Sequence, residues 1–147
     1  MMFWSRPDTY REVFNSLPIG AIIVEKKDNS FIVVDANRQA SSQGGWKNLR
    51  LQDVIGKDIC LSFPGIEDSG LLLIYQEVLQ TQQPAYLGRF PYEDVNVPDT
   101  TFEVWVSPIS PISILITYTR LDDQHDASAS LNRIEEIARL LQEEEGL

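Results

Sequence analysis

The sequence predicts an α+β domain, a five-stranded antiparallel sheet with helices on one face, framed by an N-terminal cap helix and a C-terminal helix. Three observations lead there. Five runs rich in β-branched and aromatic residues are punctuated by polar or proline-containing turns. The stretch from Leu71 to Leu79 repeats its apolar residues at helical spacing. Two strand-like runs precede the helical stretch and three follow it, the order of one sheet with a helical insertion. A chain of 147 residues, 43% hydrophobic and 23% charged, suits one core.

Taken in order, Thr9 and Glu12 have the spacing of a capping box, and Tyr10, Val13, Phe14 and Leu17 follow at i, i+3, i+4 and i+7. The spacing predicts a short amphipathic helix, ended by Pro18 and Gly20, within a cap region of residues 1–20. Ala21 to Lys26 and Ser30 to Asp35 predict a hairpin turning at Lys27-Asp28-Asn29. From Ala36 to Phe63 no period is sustained, and Leu49, Leu51, Val54 and Ile55 predict only short helical turns. Glu67, Asp68 and Ser69 then introduce a helix with an apolar stripe of Leu71, Ile74, Tyr75, Val78 and Leu79 and with Pro84 beyond its end.

Ala85 to Tyr92, Thr101 to Ser107 and Ser113 to Thr119 are the remaining strands, with turns over Asp94 to Asp99 and Pro108 to Pro111. The core domain therefore covers residues 21–120. Residues 121–147 hold a polar connector and a last helix in which Leu131, Ile134, Ala138 and Leu141 follow heptad-like 3-4-3 spacing.

Charge narrows the partners. Lys and Arg number 12 against 22 Asp and Glu, a net charge of -10 that repels phosphate backbones and anionic membrane surfaces, so neither nucleic acid nor membrane is expected. No run reaches the ~20 apolar residues of a spanning helix, and the first residues lack the pattern of an export leader, so a cytoplasmic protein is expected. With one cysteine, Cys60, and one histidine, His125, neither an internal disulfide nor a metal site is expected. The carboxylate pairs Glu93-Asp94 and Asp122-Asp123 fall in predicted loops, and no nucleophile-base set or phosphate loop is present. The chain is read as non-enzymatic, with no catalytic residues.

The order of elements, with Phe14-Asn15-Ser16-Leu17-Pro18-Ile19-Gly20-Ala21 leading into the first strand, Val33-Val34-Asp35-Ala36-Asn37 ending the second, and the turn Val54-Ile55-Gly56-Lys57, resembles a PAS domain, a bacterial sensory module. The resemblance runs from about Tyr10 to Thr119. It implies an asparagine, here Asn37, starting a short helix. It further implies a homodimer, a small ligand or protein partner, and a C-terminal helix that passes a signal to an output domain such as the histidine kinase of a two-component system. Light-sensing relatives bind flavin through an Asn-Cys-Arg-Phe-Leu-Gln type motif. Here Asp58-Ile59-Cys60-Leu61-Ser62-Phe63 lacks its polar residues, and His125 lies beyond the last strand among acids, so cysteinyl-flavin and haem are both disfavoured and the cofactor is left unknown.

Two sets of candidate residues follow. By strand alternation Ile22, Val24, Phe31, Val33, Phe102, Val104 and Ile116 face the helices, with Tyr75 from the long helix and polar Asn37, Tyr86 and Arg89 to orient a ligand. The same residues also suit a filled core with no ligand, in a pure interaction domain. For the dimer, the candidates are Phe3, Trp4, Tyr10, Val13, Phe14 and Leu17, Trp105 on the outer side of its strand, and Leu131, Ile134, Ala138 and Leu141. A small pocket enzyme resembling the ketosteroid isomerase group is the remaining alternative, and it requires a carboxylate facing the cavity.

Overall fold

A computed structural model describes residues 7–121. Phe3, Trp4, His125 and the stripe Leu131, Ile134, Ala138 and Leu141 lie outside the described residues. Helix α1 (Pro7–Ser16) leads into strands β1 (Gly20–Lys27) and β2 (Ser30–Ala36). Four short helices follow, α2 (Arg38–Gly44), α3 (Leu51–Val54), α4 (Ile59–Ser62) and α5 (Ile66–Ser69), then α6 (Leu71–Thr81). Strands β3 (Ala85–Asp94), β4 (Val97–Pro108) and β5 (Ser113–Leu121) complete the fold.

The five strands form one antiparallel sheet in the order β2-β1-β5-β4-β3. The first and last strands are thus central neighbours, and Gly20 at the start of β1 sits opposite Tyr118 near the end of β5. The expected α+β architecture stands. Helices α2 to α6 pack against the sheet, α2 over β1 and β5 and α6 over β4 and β5. Between them lies one continuous core in which Val24, Val33, Val54, Val106 and Ile114 are completely buried. Each such aliphatic side chain contributes about 1.5 to 3 kcal/mol by leaving water.

Several local expectations change. Helix α1 starts at Pro7, whose fixed φ suits a first helical turn, so Thr9 lies inside the helix and is no capping-box residue. Its buried residues are Thr9 and Phe14, while Tyr10 and Val13 are 43% and 50% exposed. The expected helix over Leu71 to Leu79 is α6, but the residues before it, Ile66 to Ser69, form the separate short helix α5, set off by Gly70 with φ 85°. The expected turn over Asp94 to Asp99 shrinks to Val95-Asn96, because Asp94 Oδ1 accepts from the N–H groups of Asn96 and Val97 and closes a tight hairpin. Pro98 then sits in an irregular part of the β3–β4 pairing, where no ladder bond needs its missing N–H.

Two bulges set which side chains face the core. In β2, Val34 is left out of the pairing with β1, so Val33 points inward while Asp35 points outward beside α1. In β3, Leu87 is skipped and Gly88 takes φ 63°. This second irregularity decides the fate of two predicted site residues.

Candidate functional site

A cavity of about 90 Å³ opens between the sheet and the helices. Its wall is built from Ile22 of β1, Phe90 and Tyr92 of β3, Val97, Phe102 and Val104 of β4, and Ile116 and Tyr118 of β5. The helical side supplies Gly44, Trp46, Ile59, Phe63, Ile66, Leu71 and Tyr75. Local sequence explains these positions. Leu71 and Tyr75, four residues apart, share one face of α6, and Phe63 and Ile66 flank the turn between α4 and α5. Along β5, Ile114, Ile116 and Tyr118 alternate inward.

Three phenols are the principal polar groups of the wall. The Tyr118 hydroxyl donates to the Ala40 carbonyl at 2.7 Å, and its oxygen accepts from the Trp46 indole. The Tyr92 hydroxyl donates to Asp94 Oδ2. Tyr75 stands edge-on to Phe31 with ring centroids 5.6 Å apart. Burial first, then Cys60 for Tyr75 and the hydrogen bond to Asp94 for Tyr92, push both well above the ordinary tyrosine range. Burial also raises Tyr118, against the lowering effect of the Trp46 hydrogen bond. All three remain neutral near neutral pH.

The β3–β4 turn shuts one side of the cavity. Asn96 Nδ2 donates to the Ser62 carbonyl at 2.7 Å, the Asn96 carbonyl accepts from Lys47 N–H at 2.8 Å, and Asp94 Oδ2 also accepts from Gly65 N–H. Beside it, the Trp46 ring packs 5.1 Å from Phe63 and lies over Gly44, where an added Cβ would fall 2.3 Å from the indole nitrogen. Only glycine permits that close approach.

The structure distributes the predicted pocket residues unevenly. Ile22, Tyr75, Phe102, Val104 and Ile116 line the cavity. Val24, Phe31 and Val33 are packed solid beside it and contribute core rather than wall. Asn37 is completely buried but faces no guest. Its Oδ1 accepts from the N–H groups of Ala21 and Ala40, and its Nδ2 donates to the carbonyls of Phe14 and Ile19, tying α1, β1 and α2 together. It does start a short helix, as the resemblance implies.

Tyr86 and Arg89 stand on the outer face of the sheet, opposite Trp105 and Glu103, so neither orients a guest. Residues three apart share a face only across a bulge, and the bulge at Leu87 is present, but the shared face is the outer one. Sequence reasoning missed the lining contributed by Gly44, Trp46, Ile59, Phe63, Ile66, Leu71, Phe90, Tyr92, Val97 and Tyr118. Alternation along β5 could have found Tyr118, and the i, i+4 relation to Tyr75 could have found Leu71.

Among the dimer candidates, Phe14 is 6% exposed and belongs to its own domain's core, so it offers nothing to a partner. Leu17 is half-buried, whereas Tyr10 and Val13 are exposed. Trp105 is outward and half-buried, its ring 5.4 Å from Tyr86.

Cysteinyl-flavin chemistry does not fit this wall. In α4, Ile59 occupies the cavity-facing position and the half-buried Cys60 beside it lines nothing. The thiol is pushed up to about 11 by burial, then by Asp58 and Glu67, the reverse of a reactive cysteine. Among the described residues, no Asn or Gln side chain lines the cavity to meet a flavin's polar edge, and no Asp or Glu lines it to serve as a buried base. The buried Asp35 lies on the other side of the sheet, accepting from the Tyr10 hydroxyl at 3.2 Å. Among the described residues, no cluster of potential metal ligands and no helix long and apolar enough to cross a membrane is present.

No family model and no curated protein matches the sequence. Solved structures do match. A domain of a sensory box sensor histidine kinase/response regulator from Geobacter sulfurreducens is 16% identical over 80% of this chain and 96% of its own, with a TM-score of 0.60. The PAS domain of a protein from Colwellia psychrerythraea is 12% identical over 77% of this chain and 94% of its own, with a TM-score of 0.58. A LOV protein from Rhodobacter sphaeroides is 15% identical over 84% of this chain and 70% of its own, with a TM-score of 0.62.

Proposed function

From the PAS fold that this chain adopts, we propose that it works as a cytoplasmic, non-enzymatic sensory module. A small molecule or a partner seated between sheet and helices changes the relative placement of two protomers, and the segment after Leu121 hands that change to an output domain such as a histidine kinase. The observation that supports this is the two-sidedness of β4. Phe102 and Val104 form cavity wall, and Trp105, next in sequence, stands on the opposite face beside Tyr86. Anything that displaces β4 from inside therefore moves the aromatic pair outside. Signalling follows only if the occupant binds one arrangement of the protomers more tightly than another, since equal affinity shifts no population.

The outer face suits association. Tyr86, Trp105 and Thr117 form one cross-sheet row, and Ser107, Leu115 and Ile23 the next, so Tyr86, Trp105, Leu115 and Ile23 leave apolar surface accessible across the sheet. Pairing two such faces removes that surface from water. Native mass spectrometry of the purified chain is expected to report a dimer, and Trp105→Arg a monomer with an unchanged circular dichroism spectrum. A dimer that survives this substitution would remove the outer sheet from the proposal. The solid packing of Val24, Phe31 and Val33 favours a second reading, in which the surface alone carries the signal and no small molecule accompanies the protein.

A further inference from the structure

The dimensions and chemistry of the cavity restrict what it can hold. Its volume of about 90 Å³ far exceeds the ~10 to 15 Å³ that one water requires and lies within a factor of about two of the ~150 Å³ of an apolar cavity known to take benzene or xenon. Flavins, haem and other large planar groups are therefore too big for it without rearrangement. The wall is almost wholly apolar, and among the described residues no Lys, Arg, His, Asp, Glu, Asn or Gln side chain lines it. A charged guest would leave its hydration behind and find no counter-charge, a cost that neutral apolar molecules do not meet.

Two of the three hydroxyls on the wall are already engaged. Tyr92 and Tyr118 already donate to Asp94 and to the Ala40 carbonyl, so a polar guest needing their protons would have to break those bonds. Surface charge acts in the same direction, because a net charge of -10 lowers the local concentration of anions. A neutral guest is indifferent to it.

The opening is built for a small occupant as well. Trp46, Phe90 and Tyr92 are the half-buried members of the wall, so they border the solvent side. Trp46 lies flush there because Gly44 beneath it has no side chain.

We infer that the cavity between sheet and helices receives a small, uncharged, predominantly apolar molecule, at most about the size of benzene. As a statement about the signal this rests on the sensory reading, but as a statement about binding it is tested separately. The test is an NMR titration of the full chain, following the methyl groups of Ile22, Val104 and Ile116 and the indole N–H of Trp46, with benzene and with succinate as probes. Benzene is expected to shift these resonances saturably and succinate to leave them in place.

Two cavity-filling variants, Val104→Leu and Ile66→Phe, are expected to weaken benzene binding at least about tenfold, about 1.4 kcal/mol, while the remaining sheet resonances persist. The absence of saturable benzene shifts, or unchanged benzene affinity in both variants, would overturn the inference. Shifts with succinate but not with benzene would overturn the chemical class and leave the sensory reading standing. Benzene binding that leaves the dimer unaltered would uphold the inference and count against the sensory reading.

Discussion

With both ends of its amide engaged by four backbone groups, Asn37 joins the cap helix to the first strand and to α2. Asn37→Ala strands buried N–H and C=O groups that water cannot reach, and is expected to cost about 3 kcal/mol in urea unfolding. Asn37→Asp should do no better, because a carboxylate cannot donate to the carbonyls of Phe14 and Ile19. A destabilisation under about 1 kcal/mol in both variants would mean that those groups find other partners. From the sequence, Asn37 is legible as a buried amide near a helix start, but the four groups it serves come from three elements whose meeting is tertiary. That is why it reads equally well as a ligand-orienting residue.

Cys60 makes a second prediction at this scale. Its folded thiol titrates at about 11 against an ordinary value of 9.0, so folding favours the protonated form. The associated stability is complete below pH 9 and is lost as the pH climbs to about 11. The raised values of Tyr75, Tyr92 and Tyr118 act in the same sense from pH 10 upward. Cys60→Ala should therefore flatten the fall in urea midpoint between pH 9 and 10. Near neutrality the thiolate population is about a hundredfold below that of a free thiol, and maleimide labelling should slow accordingly.

Among the elements, β3 shows how a single inserted residue redirects chemistry. Its bulge at Leu87 places Tyr86 and Arg89 outside and Phe90 and Tyr92 at the cavity. Gly88 carries the positive φ there, and nothing lies within 4 Å of where its Cβ would be. Gly88→Ala thus meets no clash, and its cost, about 1 to 3 kcal/mol in thermal or urea unfolding, should come from backbone strain alone. A neutral outcome would mean that the strand relaxes into straight pairing, which β3–β4 cross-strand NOEs would reveal. Bulges leave almost no mark in composition, so alternation located every strand yet assigned the wrong face to part of one. Helix α2 was hidden for a different reason: Arg-Gln-Ala-Ser-Ser-Gln-Gly has no apolar stripe, and the Asn37 cap holds it in place.

For the whole molecule, the sheet and its helical cover were legible because their apolar rows obey the periods of strand and helix. The cavity was not, since eight of the wall residues that periodicity left out, Gly44, Trp46, Ile59, Phe63, Ile66, Phe90, Tyr92 and Val97, come from loops, short helices and a hairpin that only the assembled fold brings together. The strand order has a mechanical corollary. Because β1 begins and β5 ends at the same edge of the sheet centre, tension applied through the flanking segments would peel the Gly20–Tyr118 seam apart one bond at a time. Force applied between Asp28 and Leu121 would instead load the whole ladder in parallel. In an optical trap the first geometry should yield at markedly lower force, and a neighbour tugging on those flanks would therefore meet a soft zipper rather than a rigid clamp.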